Sequence, residues 1–219
     1  MNYHTCDSLI FEGFEYTLVK QEGSDLFSPK KHGLSPFSYT FGRSEGFYCK
    51  YELKNNLLIL KTLFVGLKEI EIQQIKDNRD YQILGVKPEI IRHMVQEIID
   101  VDKLEFGPEK EVDSRECKCE NISLNIGFTG ELWIGTDFED ELYLHTNFKS
   151  PWKYKKVIKL VFDNGTLKQT EDISDKMKDY KLEVEASSKR RRFKVTIIFI
   201  ILFIINLILV KKVYEKLSM

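Results

Sequence analysis

An uncharged stretch of sixteen residues, Val195–Val210 (VTIIFIILFIINLILV), constrains this chain more than any other feature. Thr196 and Asn206 alone interrupt its apolar character, so a helix here has no polar face. Such a helix spans about 24 Å, slightly less than the roughly 30 Å of a hydrocarbon core. A buried helix of a globular domain is the alternative, but the missing polar face favours a membrane-spanning helix. The predicted anchor residues are Val195, Ile198, Phe199, Leu202, Phe203, Leu207 and Val210.

Basic residues flank this stretch on both sides and predict its orientation. Lysine stems lie in lipid while their ammonium groups reach the headgroups, which compensates for the short span. Because more basic residues precede the helix than follow it, the N-terminal domain is expected in the cytoplasm. The first thirty residues contain no apolar signal-peptide core, which agrees with this orientation. The flanking residues are Lys189, Arg190, Arg191, Arg192 and Lys194 before the helix, and Lys211 and Lys212 after it.

The anchor divides the chain into four predicted parts. Residues 1–170 form a soluble β-rich domain, 171–192 a polar, charged helical stalk, 193–212 the transmembrane helix and 213–219 a short tail. This organisation predicts a single-pass, tail-anchored membrane protein.

The stalk has a short apolar repeat with spacings of four, three and four residues. Its members are Ile173, Met177, Tyr180 and Val184. The repeat is shorter than the three or four heptads that indicate a coiled coil. A self-associating stalk therefore remains open, but an isolated surface helix or a loose linker is favoured.

Charge is distributed unevenly along the chain. Residues 189–219 contain eight Lys or Arg residues and one acid, a net charge of +7. The whole chain has 33 basic and 34 acidic residues, which leaves 25 basic and 33 acidic ones in 1–188, a net charge of −8. An acidic domain is a poor nucleic-acid binder, because phosphate contacts supply most of that affinity. The predicted partners are the lipid bilayer and a protein, with no nucleic acid.

Alternating apolar residues and turn residues predict a mainly β (α+β) fold, an antiparallel hairpin-rich sheet or sandwich with one amphipathic helix. Asn55-Asn56 and Asn164-Gly165 separate apolar runs and indicate hairpins, because these pairs tolerate the positive φ angles of tight turns. Gly13 indicates a further hairpin or a bulged strand. The predicted strands are Leu9–Val19 (divided at Gly13), Phe47–Leu53, Leu57–Val65, Ile122–Ile134, Glu141–Thr146, Val157–Phe162 and Thr166–Gln169.

The amphipathic helix of this domain is predicted at 88–99. Pro88 and Glu89 suit a first helical turn, and an apolar stripe follows at helical spacing. Packing of this stripe onto the sheet is favoured over a partner-binding face. For 67–75 a strand and a short helix remain open, and 102–120 is expected to be a charged connector. The stripe consists of Ile90, Ile91, Met94, Val95, Ile98 and Ile99.

No familiar catalytic motif occurs in the sequence. A phosphate-binding glycine loop, H-E-x-x-H, G-x-S-x-G and an EF-hand loop are all absent. Cys117 and Cys119 are too close for an ordinary structural zinc pair, so free structural thiols are favoured over a metal or redox role. Tyr48 and Trp133 are expected in the core, and would indicate a binding site if exposed. We predict no catalytic, cofactor-binding or metal-binding residues.

Three segments resemble those of uncharacterised, small β-rich cytoplasmic proteins of bacteria. They are GFYCKYELKNNLLIL at Gly46–Leu60, FTGELWIG at Phe128–Gly135 and KKVIKLVFDNGTL at Lys155–Leu167. The resemblance covers 9–170 discontinuously and implies a small β-rich fold. It implies no activity, and the usual members of that group lack an anchor of this kind.

These features favour a C-terminally membrane-anchored protein that presents an acidic β-rich interaction domain at the membrane surface. An acidic domain suits a basic protein partner. A structural or assembly subunit of a membrane complex is an alternative, in which Asn206 would hydrogen-bond across helices. An enzyme with a site assembled from scattered residues is a third, less favoured class.

Overall fold

The computed structural model describes residues 7–38, 45–100, 105–139, 150–184 and 186–187. The chain is mainly β, as predicted, and divides into two compact units, Met1–Ile173 and Ser174–Met219. The predicted transmembrane helix at 193–212, the tail at 213–219 and the strand Glu141–Thr146 lie outside the described residues. Within the described part of the chain, no helix is long and apolar enough to cross a membrane.

A ten-stranded sheet makes up most of the first unit. Its strands are β1 (Ser8–Phe11), β2 (Phe14–Gly23), β3 (Phe47–Lys54), β4 (Leu57–Gly66), β5 (Glu89–Asp100), β6 (Glu105–Cys119), β7 (Leu124–Asn125), β8 (Gly130–Phe138), β9 (Tyr154–Asp163) and β10 (Thr166–Asp172). Helix α1 (Glu69–Asp77) follows β4, and short 3-10 helices occur at Pro29–His32 and Pro151–Lys153. In the second unit, residues 174–184 and 186–187 are helical.

Three hairpins occur where turn residues predict them, in the pairs β1–β2, β3–β4 and β9–β10. Two residues with positive φ form each turn, which matches the right-handed twist of the flanking strands. Their φ angles are 51° and 82° at Glu12-Gly13, 51° and 62° at Asn55-Asn56, and 46° and 77° at Asn164-Gly165. Asparagine and glycine tolerate this conformation best, so local sequence places these turns.

The sheet is mixed, whereas the sequence predicts an antiparallel one. Its strand order is β10-β9-β8-β2-β1-β3-β4-β6-β5, with β7 beside β4. The neighbours β1 and β3 run parallel, with Leu9 opposite Tyr51. Parallel neighbours require a crossover connection, and here β2 and the segment before β3 provide it.

The sheet closes on itself because β10 also pairs with β4. Thr166 lies opposite Leu57, and the Leu58 N–H donates to the Gly165 carbonyl oxygen at 2.8 Å. The closed part of the sheet has seven strands, in the order β10-β9-β8-β2-β1-β3-β4. One face of each strand points inward, so these side chains share one core. The largest side chains of this core include Tyr51, Phe128, Phe162, Leu9 and Leu160, each no more than 2% exposed.

The amphipathic helix predicted at 88–99 is wrong. Residues Glu89–Asp100 form strand β5, paired along its length with β6. The apolar stripe contains Ile and Val, which favour strands, and β6 supplies the hydrogen-bonding neighbour. The α-helix that the structure describes in this domain is α1. It covers most of the segment 67–75, for which the sequence allows either a strand or a short helix. Its residues Ile72 and Ile75 are buried.

Two further segments differ from expectation. The charged connector predicted at 102–120 is largely strand β6, Glu105–Cys119. The long strand predicted at Ile122–Ile134 is divided into β7 and β8 by residues 126–129. At the start of β8, Gly130 has a φ of 142°, a conformation that an unbroken strand lacks.

Candidate functional site

The hairpin of β5 and β6, here called the arm, extends beyond the sheet. Its strand β6 pairs with β4 through four residues, from Glu116 to Cys119. The Leu67 N–H donates to the Arg115 carbonyl oxygen at 2.8 Å and continues this contact by one residue. From Asp113 outward, β5 is the strand neighbour of β6 among the described residues. A two-stranded ribbon of this kind has both faces open to solvent.

Local sequence explains why the arm is a ribbon with an irregular tip. The register of β5 and β6 shifts between the pairs Gln96–Glu109 and Ile98–Phe106, where β6 contains Gly107-Pro108. Proline cannot donate a backbone hydrogen bond, so it suits a bulge in an edge strand. This dipeptide is a sequence signal for an irregular strand, and it lies in the segment that charge composition alone assigns to a connector.

Large apolar side chains are exposed along the arm. They are Met94, Val95, Ile99, Phe106 and Val112, whose exposed fractions lie between 42% and 64%. Single exposed apolar residues are ordinary on a protein surface, and the arm has five of them on one hairpin.

The two faces of the arm differ in character. In the regular part of the ribbon, His93 lies opposite Val112 and Val95 opposite Lys110, and these four side chains share one face. The other face contains the pairs Arg92–Asp113, Met94–Glu111 and Gln96–Glu109. Side chains alternate along a strand, so one face has two valines beside His93 and Lys110, while the other has three carboxylates beside Arg92, Met94 and Gln96.

Ion pairs hold the base of the arm against α1. Lys76 Nζ lies 2.8 Å from Asp113 Oδ2, and Arg92 Nε donates to Asp113 Oδ1 at 3.0 Å. The hydrogen bond from Lys76 is the main cause that lowers the pKa of Asp113, and Arg92 adds to it. A weaker contact of 3.5 Å joins Arg115 to Glu69. These contacts position the arm, while Glu109 and Glu111 are exposed farther out.

Tyr48 and Trp133 are not exposed aromatic surfaces. The Tyr48 ring stacks on Phe64, with ring centroids 4.2 Å apart. Lys20 covers Trp133, with its ammonium nitrogen 4.1 Å from the ring centroid. Both aromatic residues are half-buried. The exposure that would indicate a binding site at these two residues is therefore not observed.

Three cysteines are buried and unpaired, and Cys6 lies outside the described residues. Cys117 and Cys119 lie on β6 where it joins the sheet, and burial raises the pKa of each thiol to about 12. Burial also raises the pKa of Cys49 well above its usual value. Among the described residues, no group of three His, Cys, Asp or Glu side chains is placed to hold a metal ion.

We expect these buried thiols to resist alkylation in the folded chain. With a pKa of about 12, roughly one thiol in ten thousand is ionised at pH 8, and the thiolate is the reactive form. Iodoacetamide at pH 8, followed by peptide mapping, should leave Cys49, Cys117 and Cys119 unmodified until urea unfolds the chain. Rapid modification of Cys117 or Cys119 without urea would contradict this assignment.

The predicted membrane residues lie outside the described part of the chain. This applies to Val195, Ile198, Phe199, Leu202, Phe203, Leu207 and Val210, and to Lys189, Arg190, Arg191, Arg192, Lys194, Lys211 and Lys212. The arm, by contrast, contains the residues that sequence periodicity assigns to a core-packing helix. Paired β-branched residues at Ile90-Ile91 and Ile98-Ile99 are the signal that favours a strand there.

Comparison with known proteins finds no matching family model, no matching curated protein and no matching solved structure.

Proposed function

We propose that this chain is a C-terminally membrane-anchored binding protein that presents an acidic, β-rich interaction domain at the membrane surface. The arm is its docking element. The observation that supports this proposal is the concentration of exposed apolar side chains on the arm. Of the ten large apolar side chains that are exposed among the described residues, five belong to it.

The construction of the arm also suits binding. Its base is held by the sheet and by the Lys76–Asp113 ion pair. In the outer part, β5 and β6 pair with each other, and within the described ranges their large apolar side chains are exposed and available to another molecule. A surface that is already ordered loses less conformational entropy when it binds than a loop that must become ordered. Phe14 and Ile70, the most exposed apolar residues elsewhere, lie on other elements.

The anchor in this proposal is the apolar segment at 193–212, with its basic flanks in contact with lipid headgroups. Each Lys or Arg near an anionic membrane contributes about 1 kcal/mol of attraction. Residues 1–188 have a net charge of −8, which favours a basic protein partner. The excess of basic residues before the segment places the domain on the cytoplasmic side.

Site-specific photo-crosslinking in the native membrane tests this function. Benzoylphenylalanine replaces Met94 on the arm in one full-length variant and Phe14 at the start of β2 in the other. Both side chains are exposed, at 59% and 70%, so the pair differs in location rather than in accessibility. We expect a membrane-sedimenting adduct of discrete mass, at least tenfold more abundant from position 94.

Two results would count against the proposal. Equal adduct yields from the two positions would remove the arm as the docking element. A chain that remains in the supernatant after membrane sedimentation would contradict the anchor.

A further inference from the structure

The outer edge of the arm is an open strand edge. β5 is the last strand in the sheet order, so on its outer side it has no strand neighbour among the described residues. Its twelve residues extend about 40 Å at 3.3 Å per residue. Alternate backbone N–H and C=O groups along this edge are available to another extended chain.

The sequence of β5 has only part of the usual protection of such an edge, namely four charged residues and register shifts against β6. Natural proteins shorten edge strands or place lysine or proline in them, because an open edge pairs with other chains. β5, EIIRHMVQEIID, is long and contains neither lysine nor proline. An edge left open in this way is suited to strand addition, in which a partner contributes one extended segment.

We propose that β5 binds an extended segment of a basic protein partner as an added strand. This inference rests on the proposed function and specifies the chemistry of its partner. The added strand continues both faces of the arm, so its side chains alternate between the face with Val95 and Val112 and the face with Glu109 and Glu111. The matching segment therefore alternates apolar and basic residues.

Charge favours a basic partner over a second copy of the chain. β5 and β6 together contain eight acidic and four basic residues, a net charge of −4. A second copy would bring the same negative charge to the edge, whereas a lysine-containing strand compensates it. Lysine side chains on an added strand are also long enough to approach Glu109 and Glu111, about two strand spacings or roughly 10 Å away.

A synthetic probe measures this recognition directly. The probe is a fluorescent octapeptide of alternating valine and lysine, titrated against the full-length chain in detergent and followed by fluorescence anisotropy. Two matched peptides serve as controls: one replaces every lysine by glutamate, and one carries N-methyl groups on alternate residues. We expect the valine–lysine peptide to bind at least tenfold more tightly than either control.

Variants of the chain locate the binding edge. Val95→Lys on β5 should weaken binding of the probe at least tenfold, and Phe14→Lys at the start of β2 should leave its affinity unchanged. Glu109→Lys and Glu111→Lys, both at exposed positions, should also weaken the probe without loss of folded structure by circular dichroism. Equal affinity of the N-methylated peptide would overturn strand addition, and equal affinity of the glutamate peptide would overturn basic recognition.

The failure of this inference is distinguishable from failure of the proposed function. If the valine–lysine peptide does not bind while the position-94 adduct forms, the inference is wrong and the binding function stands. If the adduct has twice the mass of the chain, the occupant is a second copy and the basic partner is wrong. If position 94 gives no adduct above the position-14 control, the proposed function itself fails.

Discussion

Replacing Phe128 by alanine should lower the free energy of unfolding by about 3–5 kcal/mol. The Phe128 side chain is fully buried and contacts Phe162 edge-on, with ring centroids 5.9 Å apart. The substitution removes this contact and leaves a cavity in the closed core. Because β8, β9 and β10 surround that core, collapse into the cavity would disturb several strands, which places the cost in the upper half of the range.

Urea unfolding of the full-length chain in detergent, followed by tryptophan fluorescence, measures this loss. Phe14→Ala is the matched control, because Phe14 is 70% exposed and its truncation should change the free energy by less than about 0.5 kcal/mol. Phe128→Leu should cost less than Phe128→Ala, since it retains most of the apolar volume. Similar losses for Phe128→Ala and Phe14→Ala would show that Phe128 is not part of the packed core.

Replacing Gly165 by alanine should lower the free energy of unfolding by about 2–4 kcal/mol, from backbone strain and overpacking together. Gly165 has a φ of 77°, and a Cβ there would overlap the Ile126 carbonyl oxygen. Its N–H donates to the Phe128 carbonyl oxygen at 2.7 Å, and its carbonyl accepts from Leu58. The residue therefore joins the β9–β10 turn to the closure of the sheet.

Gly33→Ala separates the two causes of that loss. Gly33 has a similar φ of 74°, but a Cβ there would meet nothing within 4 Å. It should cost about 1–2 kcal/mol from the left-handed conformation alone. Thermal unfolding of the two variants compares the effects, and equal losses would exclude the Ile126 contact as a cause.

An arm that extends beyond the core is also expected to differ from the core in dynamics. Local opening costs least where few apolar contacts are buried, and the outer arm has an exposed apolar surface instead of a buried one. Binding a strand at β5 would bury part of that surface.

Local sequence predicts the hairpins better than any other part of the fold. Asn164-Gly165 and Asn55-Asn56 adopt positive φ at low cost, so they bring their flanking strands together whatever the rest of the chain does. In the segment predicted as the strand Ile122–Ile134, the alternating apolar residues Ile122, Ile126 and Phe128 are buried. Their backbone is nevertheless not one continuous strand.

The arm is the segment whose secondary structure local sequence predicts wrongly. Ile90, Met94 and Ile98 satisfy a helical repeat, and the same segment is rich in β-branched residues. Helical hydrogen bonds are local, whereas a strand needs a neighbour that its own sequence does not reveal. Strand β6 provides that neighbour, and its charged sequence resembles a linker.

The apolar segment at 193–212, the charge difference between it and residues 1–188, and the tight turns are all readable from local sequence, because each depends on residues close together in the chain. Tertiary structure decides three further features: the parallel β1–β3 pair, the closure of β10 against β4, and the exposure of the arm. Each depends on hydrogen bonds or packing between residues far apart in sequence. A long-range contact forms when the whole core forms, since the entropy of closing the chain between its two ends must be offset by many contacts together.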